Sequence, residues 1–244
     1  MSDQSTAAEF LREQIERTRG LRAAWHQNPD RAAERMLLRT WQSARLTRTH
    51  GEFLLDPDYR PAAEFFLNEV YSVKETAERD TEIERAYPII ARTMPERALR
   101  SIGAALELDG LTEMLDEQLL ERLPRQRGKG VELTESTYAS AYRRCDNYAL
   151  REHQIDLIAQ LGSHLVELVA RPLLAKTLRA MRIPARLAGF GTLQTFLEQG
   201  FSAFRRMPDA HRFVATIERR ERQILERIYA GHPRPFEVEP PGSG

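Results

Sequence analysis

The chain has 244 residues, of which 41% are apolar and 30% charged, with 36 basic side chains set against 36 acidic ones. That length buries a full core without disulfide or metal staples, and a formal charge of zero argues against a partner held by bulk electrostatics, such as nucleic acid or an anionic membrane. The single cysteine, Cys145, permits no intramolecular disulfide and points to a reducing, cytoplasmic compartment. The opening Met-Ser-Asp-Gln-Ser-Thr lacks the charged-then-apolar layout of a signal peptide, and no apolar run approaches the ~20 residues of a membrane span.

Net neutrality hides an uneven distribution. Residues 1–60 carry ten Lys/Arg against nine Asp/Glu, residues 61–123 seven against fourteen, and residues 124–244 nineteen against thirteen. An acidic middle and a basic C-terminal half are read first as parts of one fold that attract each other, and second as a docking surface.

Helical periodicity runs through the chain, with no stretch of period-two alternation. Residues 5–27 read as an amphipathic helix. Asn28-Pro29-Asp30 then restarts the chain as a cap, a first-turn proline and an acid at the positive helix end. The next helix runs to His50 and turns Met36, Leu37, Trp41 and Ala44 inward. It also carries Arg31, Arg35 and Arg39 in line. A turn at 55–61 precedes a helix over 61–73. Helices over 76–93, 95–108 and 111–122 follow, the last opened by Asp109-Gly110. The polar, glycine-bearing segment 124–130 is the clearest linker and makes 124–134 a possible sub-boundary in a helical domain of residues 1–230. Helices over 135–144, 146–170 and 172–182, an interruption at Ile183-Pro184, and helices over 189–206 and 209–230 complete the chain. Residues 231–244, with four prolines, are expected to be disordered. The sum is an all-α, compact bundle of about ten helices.

The segment 146–170 stands out. At 100° per residue its apolar side chains cover an arc of about 220°, twice the ~100° that a surface helix needs, so a largely buried central helix is expected. Its polar stripe holds Asp146, His153, Asp156, Gln160, His164, Glu167 and Arg171. The stripe reads first as the face shown to water. Alternatively it lines a cavity, where His153 with Asp156 and His164 with Glu167 form i, i+3 pairs suited to acid–base work or metal binding. A carboxylate-bridged di-metal bundle needs Glu-x-x-His on two helices with further Glu on two more; here the order is reversed and both pairs share one helix. No metal and no cofactor is expected.

Arg171, Lys176, Arg179, Arg182 and Arg186 form a basic set across the Pro184 break, which Arg205 and Arg206 extend. Without interleaved aromatics or a reading motif it is a weak nucleic-acid signal. Cys145 follows Arg143-Arg144, which would favour a thiolate, although a lone cysteine reads first as a small buried residue. Phosphate loops, dinucleotide fingerprints, nucleophile elbows and zinc spacings are missing from the text.

Phe65-Phe66-Leu67-Asn68-Glu69-Val70-Tyr71, seven further residues, Arg79-Asp80 and then Pro88 make the most distinctive local motif. With Leu111–Asp116 and Phe196–Phe204, it resembles a family of uncharacterised helical bacterial proteins over roughly residues 35–230. The resemblance implies one helical domain, and the family carries no activity to transfer; Tyr71, Arg79 and Asp80 remain candidate motif residues. A protein that works through protein contacts, as a regulator or homo-oligomer, is the first functional expectation. A ligand-binding, metal-binding or enzymatic bundle using the stripe is the second, and a weak nucleic-acid binder the third.

Overall fold

A computed structural model describes residues 3–25, 29–67, 77–126 and 130–238. Within them lie eleven helices: α1 (Asp3–Trp25), α2 (Pro29–Thr49), α3 (Gly51–Leu55), α4 (Arg60–Phe65), α5 (Ala77–Thr93), α6 (Glu96–Arg122), α7 (Glu135–Arg144), α8 (Tyr148–Val169), α9 (Pro172–Leu187), α10 (Gly191–Arg206) and α11 (Ala210–Tyr229). The only strands among the described residues are two of two residues each, β1 (Arg125–Gln126) and β2 (Gly130–Val131). The protein is an all-α helical bundle.

The longest helix, α6, is the spine. The sequence reads as two helices broken at Asp109-Gly110, yet the backbone continues through Gly110, which is buried beside Leu21 and Thr18 of α1. Glycine here serves helix crossing rather than helix ending. One side of α6 takes α1, where Ala7 and Leu11 meet Leu99 and Leu106. Other sides take α2, α7 and α8.

Helix α8 is flanked by α6, α9, α10 and α11 and so is central in position. It is less enclosed than a 220° apolar arc implies. Leu150 and Leu168 remain 38% exposed, while two of its five buried residues are polar, Arg151 and Gln154. Both exposed leucines fall in the terminal turns of α8, whereas Ile155, Leu157 and Val166 lie buried between them and the polar stripe is turned outward. Against α8 lies α11, whose Phe213, Val214 and Ile217 join Phe53, Tyr59 and Phe204 in the largest apolar cluster.

At residues 124–130, expected as a linker, β1 and β2 pair antiparallel, Arg125 with Val131 and Gln126 with Gly130. Val131 drops into a cluster with Leu38, Leu119 and Tyr138, so β2 is anchored in the core. Thr134 then opens α7 with a reciprocal cap: its hydroxyl accepts from the Thr137 N–H while the Thr137 hydroxyl accepts from the Thr134 N–H.

Residues 231–238, expected to be disordered, instead fold back onto the bundle. Gly231, at φ 73°, ends α11 and turns the chain. Phe236 then packs edge-on to Trp41 and Tyr138, at ring-centroid separations of 5.7 and 5.9 Å, and Arg227 donates to the carbonyls of Arg234 and Glu237. One aromatic residue and one arginine outweigh the composition of the segment. Residues 239–244 lie outside the described residues.

At the opposite end, α9 continues through Pro184 to Leu187, where the sequence suggests an interruption. The exposed position of Pro184 leaves room for its ring, and the helix resumes with the Ala188 N–H donating to the Pro184 carbonyl at 3.0 Å.

Candidate functional site

The polar stripe of α8 faces outward, and its members reach to neighbouring helices rather than to each other. His153 Nε2 meets Glu107 Oε1 at 2.9 Å and His164 Nδ1 meets the Ser101 hydroxyl at 3.1 Å, both on α6. Glu167 pairs with Arg97 of α6, and Asp156 with Arg222 of α11. Gln160 is exposed. Neither i, i+3 pair converges on a common point, and among the described residues no three His, Cys, Asp or Glu side chains cluster as a metal site. The stripe is a set of exposed ties between helices.

Tyr71 lies outside the described residues. Arg79 and Asp80 occupy the first turn of α5.

The polar feature that sequence reasoning located only in part is a buried ionic seam between α2, α6, α8 and α11. Its first component is the arginine row on α2. Arg31 and Arg35 both bond Glu117, at 2.6 and 3.2 Å, and Arg39 pairs with Glu113. Gln42 donates to Asp116 at 2.8 Å. Burial pushes Glu113 up to about 7, with Asp116 and Asp109 adding to the rise and Arg39 opposing it. Burial likewise raises Asp116 against the pull of Arg151, Gln42 and Arg39. Farther along, Arg45 bonds both Glu221 oxygens at 2.6 and 2.7 Å, and His50 approaches the same carboxylate at 3.0 Å. Burial alone would raise Glu221, but Arg45 and His50 outweigh it and hold the acid at about 2. Arg220, 1% exposed, donates to the Thr49 carbonyl and pairs with Glu52. The row Arg31, Arg35, Arg39 was visible as text; its acidic partners, drawn from distant segments, were not.

Cys145 sits at the α7–α8 corner, where Asp146 takes a left-handed backbone, φ 49°, beside a groove of about 550 Å³. Burial pushes the thiol up and outweighs Arg151, Arg122 and Arg144, so the neighbouring arginines do not activate it.

The basic set lies on α9, and here the structure adds something that the charges alone did not show. The inner side of α9 is tied to α10: Gln194 donates to the Leu178 carbonyl at 2.6 Å, and the Arg182 guanidinium holds Glu198 through two contacts of 3.0 Å. The outer side carries Leu173, Ile183 and Leu187, which are 71%, 71% and 84% exposed. Arg171, Lys176, Arg179 and Arg186 are exposed as well, and α9 contains no acidic residue. Single exposed aliphatics are ordinary on protein surfaces; here three share one helix face with charge of one sign.

No single helix among the described residues is long and apolar enough to cross a membrane. No curated protein and no solved structure matches the chain. A family model described as "Domain of unknown function (DUF8198)" matches residues 21–235, which takes in the α2 arginine row, the whole of α9 and most of the returning C-terminal segment. The chain therefore belongs to that family of unknown function.

Proposed function

We propose that this protein acts through protein–protein contact and that α9 is its docking element. The observation carrying this reading is the outer face of α9, where Leu173, Ile183 and Leu187 project beside Lys176, Arg179 and Arg186. Burying each such aliphatic side chain stabilises a complex by about 1.5–3 kcal/mol before the ordering cost of association. The α8 stripe supports the same reading indirectly, because His153, Asp156, His164 and Glu167 are committed to neighbouring helices.

The test is a photo-crosslinking amino acid at position 183 of the full chain, in the cells that make it, with position 64 as an exposed control. A discrete protein adduct at 183, absent at 64 and lost when Leu173 and Leu187 are both changed to Asp, is the expected result. Equal or absent adducts at the two positions would overturn the reading.

A further inference from the structure

The outer face of α9 has a repeat that the basic character obscures. Leu173, Ala180 and Leu187 are spaced by seven residues, and Lys176 and Ile183, also seven apart, fall between them. In heptad terms these are a and d positions over two turns-of-seven, the spacing of a coiled-coil seam. Leu178 and Ala185 take f positions, opposite the seam. Ala185 is buried and the Leu178 carbonyl accepts from Gln194 of α10, so the orientation of α9 is set from behind. All five a and d residues are exposed. Arg179 and Arg186 occupy the g positions at the edge of the seam.

Charge decides what covers such a seam. Were a second copy to lie antiparallel, g would face g, placing Arg179 and Arg186 against arginines of the other copy. Were it parallel, Lys176 would face Lys176, and the g arginines would face e positions held by Thr177 and Pro184. Like charges in register are destabilising, and neither arrangement supplies a carboxylate. The seam is complementary to a helix with apolar a and d residues and Glu or Asp along its flanks. Arginine suits this role because its planar fork grips a carboxylate with two bonds, as Arg182 already grips Glu198 on the inner side of the same helix.

We infer that α9 is one strand of a heterotypic coiled-coil contact whose other strand is an acidic amphipathic helix of a different protein. This deepens the proposed function and rests on it.

The probe is a fluorescently labelled peptide of about three heptads with Leu at a and d and Glu at e and g, added to the full chain and followed by anisotropy. Saturable binding is expected for this peptide and not for a permuted peptide of the same composition. Arg179→Glu with Arg186→Glu should weaken it by about tenfold or more and transfer binding to the matching peptide with Lys at e and g. That gain also reports a folded variant. Equal binding of the ordered and permuted peptides, or binding of neither, would overturn the inference. So would uptake on phosphatidylserine vesicles that the double variant abolishes, or a dimer by light scattering that the double variant dissociates. An adduct at position 183 mapped to a partner segment without acidic heptads would sink this inference while leaving α9 as the docking element; no adduct would remove both.

Discussion

Gly162 of α8 and Val214 of α11 mark a point where two helices meet without room for one more carbon. A methyl group placed on Gly162 would lie 2.8 and 2.9 Å from the two methyl carbons of Val214. Val214 is buried and, being β-branched, holds one strongly preferred rotamer in a helix. Gly162→Ala should therefore destabilise the fold by about 1–3 kcal/mol through overpacking, despite the ~1 kcal/mol that alanine gains over glycine inside a helix. Adding Val214→Ala to that variant should recover part of the loss. Urea denaturation of the two single variants and the double variant measures the coupling; purely additive effects would show that the helices simply move apart.

Glu82 of α5 caps another helix. Its carboxylate accepts the N–H groups of Thr192 and Leu193, at 3.2 and 2.6 Å, in the first turn of α10, whose own N-cap residue, Phe190, provides no side-chain bond. Glu82→Ala should cost about 1–2 kcal/mol, in the range of a lost helix cap. Glu82→Gln should cost less, because an amide oxygen still accepts. Equal losses for the two variants would show that the charge at the positive helix end, rather than the hydrogen bonds, is what matters.

The buried seam sets a pH window. Glu221, held at about 2 against an ordinary 4.5, contributes stability that is complete above pH 4.5 and lost as pH falls toward 2. Glu113 works in the opposite direction. Raised to about 7, it keeps its proton in the folded state where the unfolded chain has released it, so its contribution is complete below pH 4.5 and lost as pH rises through 7. Stability should pass through a maximum on the acidic side of neutrality, with a fall on the order of 1–3 kcal/mol toward pH 8. Denaturation midpoints across about pH 3 to 8 test this. Glu113→Gln should flatten the upper limb, and an unchanged slope would reject Glu113 as its source.

Buried and exposed ion pairs should answer mutation very differently. Arg220 is 1% exposed and holds both the Thr49 carbonyl and Glu52; removing it empties a buried volume and takes a donor from that carbonyl, and should cost about 2–5 kcal/mol as Arg220→Ala. Glu167→Ala breaks an exposed pair with Arg97 and should change stability by less than ~1 kcal/mol. Melting curves of the two variants make the comparison. A large loss at Glu167 would mean that the α8 stripe carries more of the fold than its exposure implies.

Much of this architecture was legible because helix caps and periodicity are local. The start of α2 at Pro29, the turn before Arg60-Pro61 and the ends of α7, α8 and α11 all sit within a few residues of where the text places them. Three features were not local. Gly110 looks like a break until the α1 side chains beside it are known, and Pro184 until its exposed position is. The acidic partners of the α2 arginines come from residues 113–117 and 221, too far along the chain for spacing to reveal them. The α9 heptads were present as letters, but apolar residues at heptad spacing describe a buried helix equally well. Only the exposure of Leu173, Ile183 and Leu187 separates an open seam from a filled one.

The contact between Trp41 and Phe236 orders events in time as well as in space. Helices α3 through α11 all lie between the two rings in the chain, so α2 waits through their synthesis before its aromatic face gains this neighbour. At about 5–20 residues per second the interval is roughly ten to forty seconds. During it the Trp41–Tyr138 stack, once α7 is made, stands as an open apolar ledge on a growing polypeptide. The segment after α11 therefore acts as a clasp on α2, and an intermediate that lacks residue 236 should be recognisable by the looser environment of that tryptophan.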